Sequence, residues 1–327
     1  MAVYTHLDFA EIAEFLSAYD IGTLAGFEPI LQGIDNTNYK IMVDQDVRVT
    51  PYILTIFESR IDPDDLPFFM GFMAHCRDHE LNCPAPIAGK NGEHIAQLHR
   101  KAAAIFPFLD GHNIDPMDIT PDICAQLGEK CAQLHEAGRS FKLYRSNSMG
   151  MEAWAARLQK LQSQPDAHFQ DLASNYLNEL KLLRAQWPQF ATSQDTGLPV
   201  GAVHADLFPD NVFQLNGQIS GIIDFYFTAT DFLAYDLAIV LNAWCFDADH
   251  QFVPDRRDLL LDHYQSVRPL RDDEKHAFQV LAKGAALRFL SSRLHDLCFH
   301  DANALVTPKD PAEYIKKFEF HRHHALF

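Results

Sequence analysis

Between residues 204 and 224 the chain carries an acid, an amide and a second acid at a spacing suited to moving a phosphoryl group. The run H-A-D-L-F-P-D-N sets His204 two residues before Asp206 and Asn211 five after it, and Asp224 follows thirteen residues later in I-I-D-F. Phosphoryl transfer passes through a loose transition state, so a protein contributes mainly position and charge neutralisation. Asp206 can orient an acceptor hydroxyl and take its proton as the bond to phosphorus forms. Asn211 offers a neutral oxygen and Asp224 an anionic one. Mg²⁺ is commonly held by one or two such oxygens together with phosphates and waters. His204 is expected to pack and hydrogen-bond so that the loop keeps its shape. The expected reagents are ATP and Mg²⁺.

The spacing resembles the protein-kinase catalytic loop H-R-D-x-x-x-x-N and the D-F-G that follows it. Apolar stretches V-G-A-V before His204 and I-S-G-I-I before Asp224 predict strands that hold the segment. Tyr226 stands where many kinases have glycine, so rules about movement of that loop do not transfer. No A-P-E-like segment follows Asp224, which argues against a protein substrate.

The elements upstream have to hold the nucleotide. Asp8 is expected to cap a short helix with Glu11 three residues on. Strands are predicted near Gly26 to Leu31, Tyr39 to Val43 and Tyr52 to Phe57. G-I-D-N-T-N between the first two is the candidate phosphate loop, with Gly33 for the turn and Asn36, Thr37 and Asn38 as polar contacts. Thr55 occupies the third-strand position where kinases carry a lysine, and the nearest cation is Lys40. A helix is expected from Asp64, broken by C-P-A-P-I at residues 83–87, and K-N-G-E near Gly92 reads as a hairpin turn. Ala102 to Gly111 reads as a strand passing into a connector, where Phe106 and Leu109 would meet adenine. Helical spacing recurs in Ile123–His135, Met151–Leu161, Phe169–Trp187, Tyr235–Trp244 and Glu274–Leu297, leaving only Val200–Phe227 as β. The fold expected is α+β and bilobal, protein-kinase-like: a small antiparallel-sheet N-lobe over residues 1–106 and a larger, mainly helical C-lobe over 107–327.

Composition narrows the partners. At 327 residues the chain is long enough for two domains, and 47% apolar with 22% charged residues is a globular balance. A net charge of -17 argues against nucleic acid and anionic membranes as partners. No signal-like start or membrane-length apolar run is present. The six cysteines form no C-x-x-C, and the pairs Cys76/Cys83 and Cys124/Cys131 are each seven apart, which on a helix shares one face. Buried free thiols in a cytoplasmic protein are expected. His321 to His324 reads as a polar tail.

The chain as a whole resembles the homoserine kinases of the choline-kinase and aminoglycoside-phosphotransferase superfamily. G-I-D-N-T-N-Y, Y-I-L-T-I-F-E, D-L-P-F-F, C-P-A-P-I, H-A-D-L-F-P-D-N-V-F, S-G-I-I-D-F-Y-F, Y-D-L-A-I-V-L-N-A-W-C and A-A-L-R-F-L-S-S-R-L occur in family order across most of the chain. The catalytic motif marks only the superfamily; D-F-Y-F, L-N-A-W-C and R-F-L-S-S-R point to homoserine kinase. The resemblance implies transfer from ATP to L-homoserine, giving O-phospho-L-homoserine, a step of threonine synthesis. It also implies that Asp206 is the base and that Asn211 and Asp224 hold magnesium. Thr55 fits a family habit. A small zwitterion needs a cation for its carboxylate and an acid or carbonyls for its ammonium. Arg288 or Arg293 suit the first need, Asp231 the second, and Trp244 or Tyr226 could wall the aliphatic part. Either arginine could instead bridge helices, and Asp236 is expected to bond the catalytic loop's backbone. A kinase of another amino alcohol or an aminoglycoside, and a non-catalytic nucleotide-binding protein, stay open as alternatives.

Overall fold

The computed structural model describes residues 4–31, 36–58, 61–190, 197–299 and 308–327. Gly33 lies outside the described residues. The chain divides into two compact units, residues 1–111 with 220–226, and residues 112–219 with 227–327. The segment Ser220–Tyr226 therefore groups with the first unit, not with the residues before it. Aromatic contacts explain this: Phe225 lies 6.0 Å from Phe72, and Tyr226 lies 5.6 and 5.9 Å from Phe57 and Phe69.

In the first unit, α1 (Phe9–Leu16) begins with the expected capping box, Glu11 N–H donating to Asp8 at 2.9 Å and Asp8 N–H to Glu11 at 2.8 Å. The sheet comprises β1 (Thr23–Ile30), β2 (Asn36–Asp44), β3 (Val49–Phe57), β4 (Ala96–Leu98) and β5 (Lys101–Pro107). Its order is β1-β2-β3-β5-β4, and every pairing is antiparallel. Strand side chains alternate faces. Tyr39, Ile41 and Val43 of β2 and Leu54 and Ile56 of β3 share a buried cluster with Ile12, Phe15 and Leu16 of α1. Helix α2 (Leu66–Asp78) follows a single 3₁₀ turn at Pro63–Asp65. Two expectations change here. K-N-G-E does turn, Gly89 N–H bonding Glu93 O at 2.8 Å, but no strand directly flanks it. Cys83 lies beyond the end of α2, so it and Cys76 do not share a helix face.

The second unit is mainly helical: α3 (Pro121–Ser140), α4 (Met151–Leu161), α5 (Ala167–Gln186), α6 (Leu233–Trp244), α7 (Pro254–Val267), α8 (Asp272–Phe299) and α9 (Ala312–His323). Its strands are β6 (His112–Asn113), β7 (Val200–Val203), β8 (Val212–Leu215), the start of β9 (Gln218–Ile222) and β10 (Ala229–Phe232). β7 pairs with β10, and β6-β8-β9 form a second small sheet. β6 and β10 thus lie outside the stretch expected to hold all the β structure of this part. They are short strands whose pairing with β8 and β7 supplies what local propensity does not. Every residue of α6 except Ala243 is buried. Gly138 of α3 lets β7 approach closely, because a Cβ there would overlap Ala202 O. Cys124 and Cys131 lie on α3, both buried, and all six cysteines are free.

The polar-tail reading of His321 to His324 is corrected. Tyr314, Lys317, Phe318 and His321 are buried at helical spacing on α9. Two basic residues hide the apolar stripe in sequence. Lys317 and Arg293 both pair with Glu313, whose carboxyl is held at about 2 by these cations against the opposing effect of burial. His321 Nε2–H donates to Asn242 Oδ1 at 2.6 Å; the Asn242 amide nitrogen is already spent on Ala282 O. His321 Nδ1 is buried with no partner among the described residues. A second proton there would have no acceptor, so burial first, with Lys317, His324 and Lys283 adding positive charge, pushes the imidazole down to about 3. The folded pKa lies below the unfolded value. Stability is therefore complete above pH 6.5 and falls as pH drops from 6.5 toward 3. We expect a loss of up to about 1.4 kcal/mol per pH unit from this site. Urea unfolding at pH 7.5 and 5.5 checks it: His321→Gln should flatten the acid limb, and an unchanged slope would refute the assignment.

Candidate active site

The catalytic loop leaves β7 at Val203 and is clamped from both sides. Ala205 has φ +64°, a left-handed conformation that costs a residue bearing Cβ about 1–2 kcal/mol. Asp236, in the first turn of α6, accepts from His204 N–H at 3.1 Å and Ala205 N–H at 2.8 Å. Arg288 of α8 donates to Ala205 O. Trp244 Nε1–H donates to Leu207 O at 2.9 Å. Burial alone would raise Asp236, but His135, bonded to it at 3.1 Å, leads the neighbours that hold its carboxyl below the ordinary value. His135 is braced in turn by Tyr264 at 2.7 Å, and Tyr264 accepts from Arg268 at 2.9 Å. His204 is fully buried, with its N–H on Asp236.

This scaffold presents Asp206 and Asn211 together. The Asn211 amide nitrogen donates to Asp206 O at 2.8 Å and lies 3.3 Å from Asp206 Oδ2. With that nitrogen spent, Oδ1 is the atom Asn211 has left to offer, which is the oxygen a hard cation takes. Burial raises the Asp206 carboxyl to about 6, with Arg288 opposing and Asp210 adding to the rise. A carboxylate of raised basicity is the better proton acceptor. Asp224 belongs to the first unit, is partly buried and has φ +63°, a region that aspartate tolerates better than most residues. It offers an anionic oxygen, the donor type that Mg²⁺ takes.

Asn36, Thr37 and Asn38 lie within β2, not in a loop before it. Register places Asn36, Asn38 and Lys40 on one face of the sheet with Thr55 and Phe106, through the pairs Asn38↔Thr55, Lys40↔Ile53 and Ile53↔Phe106. Thr37 points the other way. Its hydroxyl accepts from Tyr4 and Thr5 N–H at 3.0 and 3.2 Å and donates to Glu58 at 2.8 Å, which ties down the N-terminal segment. Period two removes Thr37 from the face shared by its neighbours. Thr55 Oγ1 donates to Asn38 Oδ1 at 2.7 Å. Lys40 lies 3.5 Å from Glu28 and 4.9 Å above the Phe108 ring. Leu109 is buried beside Gly221.

The acceptor-side candidates separate. Asp231 is buried, accepts from Asn147 Nδ2 at 2.7 Å and Phe232 N–H at 2.8 Å, and is raised by burial. Arg288 is 1% exposed and stacks on Phe289 at 4.6 Å. Arg293 is committed elsewhere: it bonds Glu313 at 2.6 Å and Asp310 O at 2.8 Å, the helix-bridging alternative. Trp244 is fully buried and holds Leu207, so its indole positions the loop instead of walling substrate. Tyr226 belongs to the first unit, where burial raises its phenol. Arg157 of α4 has no signal in the sequence, because W-A-A-R forms no motif and only helix packing marks it.

The model of the phosphotransferase enzyme family matches residues 26–270. The chain belongs to that family. Within it, the chain is 43% identical over 322 residues to a homoserine kinase of Parvibaculum lavamentivorans, covering 98% of this chain and 96% of that one. It is 45% identical to a homoserine kinase of Xanthobacter autotrophicus, with the same coverage. Among solved structures, an amicoumacin kinase in complex with AMP-PNP, Ca²⁺ and Ami superposes with a TM-score of 0.72 at 15% identity, covering 97% of this chain and 94% of that one. A choline kinase from Cryptosporidium parvum gives 0.65 at 16% identity, covering 96% and 94%. These distant likenesses establish the fold of this phosphotransferase family member as α+β and protein-kinase-like. Among the described residues, no helix is long and apolar enough to cross a membrane.

Proposed function

We propose that this phosphotransferase moves the γ-phosphoryl group of ATP to the side-chain hydroxyl of L-homoserine, giving O-phospho-L-homoserine for threonine synthesis. Identity of 43–45% with curated homoserine kinases across 98% of the chain carries this reading. Asp206 is the base for the acceptor hydroxyl, held by the Ala205 clamp. Asn211 and Asp224 would hold Mg²⁺, which when bound neutralises phosphate charge. Asn36, Asn38, Thr55 and Phe106 offer the face for the nucleotide, and Asp231 and Arg288 the opposite charges that a zwitterion requires. Free cysteines agree with a reducing, cytoplasmic setting.

A coupled ADP-release assay tests the acceptor. With MgATP, turnover is expected on L-homoserine, and little on choline, ethanolamine, methylthioribose or an aminoglycoside. Turnover on one of those with none on homoserine would reject the substrate and keep the kinase. ATP binding without transfer to any acceptor would reject both.

A further inference from the structure

Two guanidinium groups, that of Arg288 buried and that of Arg157 half-buried, carry hydrogen-bond donors that nothing among the described residues accepts. Arg157 lies on α4 and Arg288 on α8, and these helices pack against each other. Arg288 is 1% exposed; one nitrogen holds Ala205 O and the Tyr235 hydroxyl lies beside the guanidinium, but Nε has no acceptor among the described residues. Arg157 Nη2 reaches only the weak thioether acceptor of Met149, at 3.2 Å, and Nη1 is buried without an acceptor. Burial, and next the charge of Arg288, pull the Arg157 guanidinium below its ordinary value. Guanidinium stays charged in proteins, so the strain is relieved by an anion and not by losing a proton. Asp231 and Asp206 both feel the charge of Arg288 and Asp296 that of Arg157, but all three carboxylates bond other groups. A negative centre is wanted beside two positive ones, in a protein of net charge -17.

We propose that Arg157 and Arg288 together take the carboxylate of the acceptor, making Arg157 a specificity-determining residue. This rests on the homoserine reading above. Homoserine bears its ammonium and carboxylate on one carbon, so acid and guanidinium must serve neighbouring subsites. Asp231, also near Arg288, meets the ammonium. The hydroxyl, two methylenes away, is then left for Asp206. A bare amino alcohol would leave both arginines unanswered, a selectivity arising from unpaired buried donors.

The test compares L-homoserine with its neutral carboxamide, L-homoserine amide, in the wild type, Arg157→Ala and Arg157→Lys. Charge-assisted hydrogen bonds of this kind are worth about 10- to 100-fold in kcat/KM. The wild type should prefer homoserine by at least that factor. Arg157→Ala should lose that factor on homoserine through KM, while its kcat/KM for the amide and its KM for ATP stay within about 3-fold. Arg157→Lys, which keeps the charge without the fork and is the gentler change should alanine misfold, should fall between. Equal losses on both substrates, with the preference intact, would make Arg157 a packing residue and overturn the proposal. Turnover of another alcohol by the wild type, with none of either homoserine compound, would instead remove the homoserine reading and this assignment with it.

Discussion

Asp206→Asn is expected to lower kcat with L-homoserine by about 10²–10⁴-fold, the range for losing a positioned acid–base group. The amide fills the same space, and Asn211 can keep its 2.8 Å bond to the residue 206 carbonyl. The melting temperature should therefore hold, or rise slightly at pH 8, since burial disfavours the charged carboxylate there. KM for ATP should change little. Stopped turnover with an intact fold separates chemistry from structure, whereas wild-type kcat in this variant would take Asp206 out of the mechanism.

Asp236→Ala should have the larger effect on stability, on the order of 3–5 kcal/mol in urea unfolding, because buried N–H donors left without an acceptor cost about 1–3 kcal/mol each. It would strip the acceptor from His204 and Ala205 N–H and leave His135 facing an empty site. The left-handed Ala205 would then be held only through its carbonyl by Arg288. Asp236→Asn is the sharper probe of function. It retains one acceptor oxygen but turns an N–H toward a donor, so the protein should fold with less stability and kcat should drop by more than about tenfold. A folded Asp236→Asn protein with wild-type kcat would show that the clamp does not set the geometry of Asp206.

Residues close in sequence and tied by chemistry are legible from the amino-acid order alone. Asp206 and Asn211 sit five apart, and the loop brings them into hydrogen-bond contact. The Asp8 cap and the helices beginning near residues 123, 151, 169, 235 and 274 follow local rules of capping and period. Asp236 is expected on the loop backbone and is bonded there. The departures from expectation have a common cause. Thr37 resembles its neighbours Asn36 and Asn38 in type, yet strand alternation turns it to the other face. Arg293 and Arg288 lie on one helix in one motif, but Glu313 occupies the first and the catalytic loop the second. His321 reads as part of a polar tail because its partner, Asn242, meets it only once α9 has formed and packed.

The sequence by itself determined the reaction class, because an acid and an amide five residues apart are placed by one short loop. It also determined α3, α4, α5, α6, α8 and the main strands, which arise from short-range periodicity, whereas α7 and α9 were not legible in it. Tertiary structure decided which charged side chains are spent on the fold and which are left over. Arg157, Arg288 and Arg293 are chemically identical in sequence. Long-range packing gives Arg293 a carboxylate and leaves Arg157 and Arg288 with buried donors that nothing among the described residues accepts. A guanidinium's function depends on its surroundings, and those come from segments of the chain far apart in sequence.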